Sequence, residues 1–313
     1  MTPAQTTASV AAPGPAAAGP DGRGPEAGGP DTAARGRGTA GRWLLRAIAV
    51  GYVGALVLVP VAMIVVRAFA GGPGQFWDWI TTPAAVSALR LSLLIVVITV
   101  PLNVVFGLAL ALTLARGRFR GRGLLAAAVD LPFAVSPVVV GTALILLWGA
   151  SGWFGFVAGA GVPVLFGLPA MVLATVFVTL PFIVREVEPV LTATGAEAEQ
   201  AAVLLGAGRW QTFRHITFPA IRWALTYGVV LTVARALGEF GAVMMVSSGI
   251  AGRTQTMTLL VDARYEAGAH EGAFAAATLL MIIAVVVLTV LTALTRRAAT
   301  AGGGDETQEV KDR

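Results

Sequence analysis

Cysteine is absent from the 313 residues, so disulfides and thiolate metal sites are excluded outright. Lysine is almost absent too. Its one occurrence is Lys311 near the C-terminus, and no Gly-x-x-x-x-Gly-Lys sequence exists anywhere in the chain. A P-loop needs that lysine to reach nucleotide phosphates from a glycine-rich turn, so this chain is not a P-loop ATPase. Charge of either sign is scarce. Only 12% of residues are charged, against roughly 25% in soluble globular domains. A water-exposed surface of ordinary size cannot be covered from so small a supply.

Apolar side chains fill the place of the missing charge, at 56% of residues and a mean hydropathy of +0.79. A helix needs about twenty mostly apolar residues to cross roughly 30 Å of hydrocarbon. Six stretches meet or approach that length, at residues 47–66, 91–115, 123–149, 168–184, 223–246 and 273–294. The fourth is short before Arg185 and extends towards Val190 if it shelters Arg185 and Glu186. The fold class expected is all-α, a polytopic membrane protein with six transmembrane helices.

Orientation follows from the loops that carry arginine and lysine. Arg23, Arg35, Arg37, Arg42 and Arg46 precede the first span, and Arg116, Arg118, Arg120 and Arg122 fill the second loop. Arg185, Arg209, Arg214 and Arg222 fall in the fourth loop, and Arg296, Arg297, Lys311 and Arg313 follow the last span. That side therefore holds 17 of the 22 cations, which places it and both termini in the cytoplasm. Arg67, Arg90, Arg253 and Arg264 lie on the other side, and Arg235 lies within the fifth span. The net charge of +5 is thus a topology signal, and no basic face for nucleic acid is visible. Residues 1–41 are rich in Ala, Gly and Pro without apolar periodicity, so a disordered cytoplasmic tail is expected. The apolar run after them is too long for a secretory signal, so the first span is expected to be retained. Residues 298–313 read as a second disordered tail.

Chemistry on this chain finds little support. His215 and His270 are expected on opposite sides of the membrane, so no metal site is expected and no catalytic residue is assigned. Gly149-Ala150-Ser151-Gly152 matches the Gly-x-Ser-Gly of rhomboid-type intramembrane proteases. That serine needs an intramembrane histidine as its base, and neither histidine lies in a span; a helix exit rich in small residues is the simpler reading.

The most informative stretch is a polar island between the fourth and fifth spans. Glu199-Gln200-Ala201-Ala202-Val203-Leu204-Leu205-Gly206 is followed by nine residues and then Ile216-Thr217-Phe218-Pro219. Residues 197–211 have helix-forming composition, and Ala198, Ala201, Ala202, Leu205 and Gly208 offer a small-residue face that fits a partner's groove. Trp210 and Phe213 are large apolar groups that would be wasted in water. Gly206, lacking a Cβ, suits a joint between two short helices, and Pro219 is expected to end one element before Ile221-Arg222-Trp223 starts the next span at the interface. An amphipathic helix lying on lipid headgroups is the plain alternative.

The island resembles the EAA loop of bacterial ABC-transporter permeases, whose pattern is Glu-Ala-Ala, three residues, Gly, nine residues, Ile, any residue, Leu-Pro. Gln200 stands where the pattern has Glu, and Phe218 where it has Leu; Glu199 supplies a charge one position early, pointing elsewhere on a helix. The resemblance covers about 42–297. Residues Asp130-Leu131-Pro132-Phe133-Ala134-Val135-Ser136-Pro137-Val138-Val139 resemble the third-span motif of sulfate and molybdate permeases, and Ala234-Arg235-Ala236-Leu237-Gly238-Glu239-Phe240-Gly241-Ala242 resembles their fifth-span signature. The stretch from Thr256 to Leu280, with Tyr265 and Gly272-Ala273-Phe274-Ala275-Ala276-Ala277, is similar to the CysW-type sulfate/thiosulfate permeases in particular.

That resemblance implies a type I importer permease domain over 42–297 with an ATPase-coupling loop at 191–222. The coupling residues carried over are Glu199, Gln200, Ala201, Ala202, Gly206, Trp210, Phe213, Ile216 and Pro219. It implies alternating access in the bacterial inner membrane, with no cofactor on this chain and with ATP and Mg used by partner subunits. Those partners are two ABC ATPase subunits, a second related permease and an extracytoplasmic sulfate-binding protein. A molybdate or tungstate permease is the alternative, and a secondary transporter leaves the spacing of the polar island unexplained.

Ionisable residues inside spans are expensive and mark function or pairing. Arg235 and Glu239, four apart, share a helix face and can pair. They read either as a structural ion pair or as a cation facing the path of a passing dianion. Asp130 is expected near the inner interface, paired with loop arginines. Pro132, Pro137 and Pro181 fall within spans, where each removes a backbone donor and loosens its helix, which suits a gate as well as a static kink. Ser136, Thr142 and Thr179 have hydroxyls for an oxyanion or, more simply, for bonds between helices.

Overall fold

The computed structural model describes residues 33–159 and 164–309, with side chains described over 43–157 and 164–293. The chain divides into two compact units, residues 1–57 and 58–313. Of the first, the described part is helical and belongs to α1 (Ala33–Ala68). The helices that follow are α2 (Gly72–Thr81), α3 (Pro83–Arg116), α4 (Arg122–Ala134), α5 (Pro137–Trp148), α6 (Gly155–Gly159) and α7 (Leu168–Thr194). After them come α8 (Glu197–Leu204), α9 (Arg209–Thr212), a π-helical turn (Phe213–Thr217), α10 (Phe218–Leu237), α11 (Gly241–Val246), α12 (Met257–Glu266) and α13 (His270–Glu309). Among the described residues there is no strand, only a lone parallel bridge between Phe166 and Ser247.

Five helical stretches among these residues are long and apolar enough to cross a membrane: Trp43–Ala68, Pro83–Arg116, Leu168–Thr194, Arg209–Leu237 and His270–Ala293. A sixth arises if α4 and α5 count as one span. The fourth does run past Arg185 and Glu186, as far as Thr194. The helices α1 and α13 also reach into segments expected as tails, over 33–41 and 298–309. The rest of those tails, 1–32 and 310–313, lies outside the described residues.

Two spans expected as continuous, over 123–149 and 223–246, are broken. The third bends by 115° between α4 and α5. Val135 and Ser136 are extended, with ψ of 135° and 136°; at Ser136 the following Pro137 pushes the backbone out of the α region. Pro137 accordingly starts α5 at its first turn and does not kink a helix interior. Pro132 and Pro181 do lie inside helices, in α4 and α7. The fifth span stops at Leu237, turns through Gly238, Glu239 and Phe240, and resumes as α11.

Helix ends are set locally. Thr82 caps α3, its Oγ1 accepting from Ala85 N at 3.3 Å with Pro83 at the first position, an arrangement in which the proline sacrifices no helical donor. Gly195, at φ +69° and ψ −178°, closes α7 in a region of backbone space that essentially only glycine adopts.

The core lies between α3, α7 and α10, with α5, α11 and α12 at one end. Ile95, Val140, Met171, Val178, Val243, Val246 and Leu259 form one buried cluster there. A second, at the opposite end of α7, joins Leu114, Val129, Ile183, Val187, Leu191 and Ile221. The broken spans meet tightly. A Cβ on Gly141 of α5 would lie 2.8 Å from Ala242 O of α11, and one on Gly241 would lie 3.2 Å from Pro137 Cβ. Small residues let backbones approach this closely where lipid offers no hydrophobic drive for association.

Candidate functional site

The polar island folds as a short helical arm between two spans. Glu199, Gln200, Ala201 and Ala202 lie on α8, and Gly206 takes φ of +90° in the turn after it. Trp210 lies on α9, Phe213 and Ile216 in the π-helical turn, and Pro219 in the first turn of α10. Gly208 N donates to Gln211 Oε1 at 2.9 Å, which fixes the start of α9. The rings of Trp210 and Phe213 stack with centroids 5.6 Å apart. Leu204 and Leu205 are 88% and 89% exposed, and Trp210 69%. A cleft of about 580 Å³ opens beside them, lined by Glu199, Gln200, Val203, Leu204, Phe213 and Thr217, among others.

Glu199 does not point away from the rest of the protein. Arg116, the last residue of α3, grips its carboxylate with two donors, Nε to Oε2 and Nη2 to Oε1, each at 3.1 Å. Thr217 Oγ1 donates to the same Oε1 at 2.9 Å. The third guanidinium nitrogen, Arg116 Nη1, donates to Leu191 O at 2.8 Å. Gln200 is exposed. The carboxylate one position early is therefore the one that the fold uses. Sequence reading counted Arg116 only as a topology charge and passed over Thr217. The available signal was that Thr217 sits in the motif itself and Arg116 ends an apolar run.

Arg235 and Glu239 do pair, with Nη1 2.6 Å from Oε2, but not as neighbours on one helix. Arg235 is in the last turn of α10, whereas Glu239 lies beyond it in the break. Glu239 Oε1 accepts from Ala242 N at 2.9 Å and so caps α11, while its backbone carbonyl accepts from Thr258 Oγ1 at 2.9 Å. The carboxylate sits where the positive end of α11 favours an anion and is only 1% exposed; the arginine side chain is 33% exposed. Asp130 pairs with Arg185 of α7, which itself approaches Glu188 at 4.0 Å.

The hydroxyls weighed for an oxyanion are partly used within the protein. Thr142 donates to Val138 O at 3.0 Å. Thr179 donates to Thr175 O and accepts from Asn103 Nδ2, each at 2.6 Å. Ser136 is exposed at the α4–α5 bend. Asn103, fully buried in α3, escaped sequence reading although it is the lone amide of its apolar run. Arg264 escaped as well. Burial holds its guanidinium below the ordinary arginine value, and it is satisfied by Gly272 O, Trp79 O and Thr82 Oγ1. Among the described residues no group of three or more His, Asp or Glu could hold a metal.

A bundle of membrane-length helices, two of them broken, with a helical arm between the fourth and fifth spans, defines a transporter permease. Residues 103–300 match the model of the binding-protein-dependent transport system inner membrane component family. The chain is 45% identical over 216 residues to the sulfate transport system permease protein CysW of Synechococcus elongatus, covering 69% of this chain and 76% of that one. It is 43% identical over 240 residues to CysW of Escherichia coli K12, at 76% and 82%. It is also 43% identical to the chloroplastic sulfate permease 2 of Chlamydomonas reinhardtii, of which it spans 64%. The chain belongs to the inner-membrane component family of binding-protein-dependent transporters, alongside the CysW-type permeases. A bacterial ABC transporter for alginate import superposes with a TM-score of 0.70 at 18% identity, covering 84% of this chain and 99% of that one. The fold is that of a type I ABC importer permease.

Proposed function

We propose that this chain is one membrane-spanning subunit of an ATP-driven importer that carries sulfate, and with it thiosulfate, by alternating access. The observation that carries the proposal is the arm over 197–219. It exposes Leu204, Leu205 and Trp210 beside an open cleft that Leu204, Val203 and Phe213 help to line, on the side where the loop cations gather. Apolar groups so exposed beside polar backbone fit a protein partner better than water. The CysW relatives supply the anion, and nothing in the comparisons favours the molybdate or tungstate alternative.

In this reading two ABC ATPase subunits bind ATP and Mg, and one of them seats the arm. A second related permease completes the pore, and an extracytoplasmic sulfate-binding protein delivers the anion to its outer mouth. Both termini and the arm face the cytoplasm. Closure of the ATPases moves the arm, and the broken spans α4–α5 and α10–α11 reorient around their contact. Arg235, partly exposed beside the break, lends positive potential to a passing dianion. A path that must release its cargo binds it weakly, so no deep anion site is required.

The test is uptake of radiolabelled sulfate by the reconstituted complex. Uptake that needs ATP, and that thiosulfate competes away better than molybdate, is the expected result. Uptake driven by an ion gradient without ATP, or of molybdate in preference, would overturn it. A cysteine placed at exposed Leu205 reports the docking directly, since the chain has no thiol of its own, and should crosslink to the ATPase.

A further inference from the structure

We infer that Arg116 and Glu199 form the rigid link through which the arm moves the spans. They are positioning residues for transport: Glu199 also lines the cleft of the arm, but its carboxylate is held inward by Arg116 and Thr217. The inference rests on reading the arm as the coupling element, and it concerns what happens on this chain behind that contact.

Three elements converge on one carboxylate. Glu199 belongs to α8, Arg116 ends α3, and Thr217 lies in the π-helical turn at the foot of α10. The guanidinium fork is bidentate on the carboxylate, and its remaining nitrogen holds the Leu191 carbonyl in the last turn of α7. Planar, two-point contacts of this kind fix direction as well as distance. The start of the arm, α8, is thereby tied at once to α3, to α7 and to the π-helical turn that leads into α10. Without the link, α8 would be joined to α7 only through the short turn at Gly195 and Ala196, where Gly195 takes φ of +69° and has no side chain to restrict it.

The link is seated on stiff material. Leu114, Leu191 and Ile221, each fully buried, form the cluster just behind it on the same three spans. Interiors packed in this way transmit displacement. The π-helical turn gives the other leg its reach. A π turn sets one extra residue into the helix and is frequent at functional sites. Here it spans Phe213–Thr217, and Thr217 at its end makes the contact with Glu199. Both charged side chains are about one-fifth exposed, at 23% and 22%. The pair is therefore shielded from full solvent screening, and it sits behind the exposed leucines that face outward.

A link of this kind predicts uncoupling without undocking. In the assembled complex in proteoliposomes, three quantities separate the roles: ATPase copurified with the membrane chains, ATP hydrolysed, and radiolabelled sulfate moved per ATP. Glu199→Gln keeps an acceptor for Thr217 but loses the charge, and Arg116→Gln loses the fork. Each should retain the ATPase and hydrolyse ATP while sulfate moved per ATP falls about tenfold, within the range of ordinary coupling energies. The exchange Arg116→Glu with Glu199→Arg should restore part of that ratio, which a merely structural loss would not allow. Thr217→Val removes one leg alone and should give a smaller fall; it carries the test if Arg116→Gln fails to accumulate. An unchanged ratio in Glu199→Gln and Thr217→Val overturns the link. Loss of copurified ATPase in Glu199→Gln also overturns it, by making Glu199 a docking residue and leaving the coupling arm in place. Failure of the unaltered complex to retain ATPase or to move sulfate would instead strike the underlying reading.

Discussion

Gly107 of α3 faces Ile183 of α7 with no space for a side chain, since a Cβ built on Gly107 would lie 2.7 Å from Ile183 Cβ. The same isoleucine is held from the other side by α10, where a Cβ on Gly228 would lie 3.2 Å from Ile183 Cα. Three spans therefore meet around one side chain, and their spacing is set by two glycines. Gly107→Ala is expected to cost about 1–3 kcal/mol through overpacking, read as a lower thermal midpoint in detergent. Adding Ile183→Ala should restore only part, because it removes Cγ2, 2.8 Å from the new Cβ, but leaves Cβ at 2.7 Å.

Asn103 and Thr179 supply the polar counterpart of that contact. The bond between Asn103 Nδ2 and Thr179 Oγ1, 2.6 Å, joins α3 to α7 with both residues fully buried. Thr179→Val strands the amide donor and is expected to cost about 1–3 kcal/mol. Replacing both, as Asn103→Leu with Thr179→Val, removes donor and acceptor together and should cost less than the single change. A double-mutant cycle on thermal midpoints measures the difference.

The helical class, the span positions and the polar island were legible in the sequence because they are one-dimensional signals. A run of apolar residues of bilayer length has few other solutions, and Gly206 marks its turn wherever the neighbouring helices go. What remained hidden depends on partners distant in the chain. Arg116 is 83 residues from Glu199, and nothing local tells a charge that sets topology from one that grips a carboxylate. The breaks at Ser136 and Gly238 were masked for a related reason. Hydropathy runs straight through both, although Pro137 gave a local signal that Ser136 leaves the helix. At Gly238 the informative residue is Glu239, whose role as a cap is defined only by the helix beginning two residues later.

Glu239 separates two roles that one substitution would confound. Glu239→Gln keeps an oxygen for Ala242 N and loses the charge opposite Arg235, whereas Glu239→Ala loses both. The alanine variant is expected to be less stable than the glutamine variant by about 1–2 kcal/mol, the ordinary size of a lost helix cap. Arg235→Gln alone leaves the Glu239 carboxylate buried without its cation, a change expected to cost about 3–5 kcal/mol. Lower uptake in that variant would therefore reflect abundance. The informative protein is Arg235→Gln with Glu239→Gln, which removes the pair together. If Arg235 serves the passing anion, this double variant reaches the membrane at normal levels yet takes up sulfate several-fold more slowly. Normal uptake at normal abundance would leave the pair purely structural.

Arg264 is the buried cation whose satisfaction is entirely neutral. Its Nη1 donates to Gly272 O at 3.0 Å, and its Nη2 donates to Trp79 O at 3.0 Å and Thr82 Oγ1 at 2.7 Å. The guanidinium also lies over the Trp79 ring, 5.2 Å from its centroid. It thereby fastens α12 to the start of α13 and to the end of α2, where Thr82 also caps α3. A lysine is a point charge on a flexible stem and cannot reproduce a planar fork that donates in two directions while stacking on an indole. Arg264→Lys is therefore expected to lose most of what Arg264→Gln loses, about 1–3 kcal/mol for the acceptors left without donors. Thermal midpoints of the two variants, with sulfate uptake at a permissive temperature, check this. A lysine variant as stable as the unaltered protein would show that charge alone holds α2 in place and that the fork geometry is dispensable.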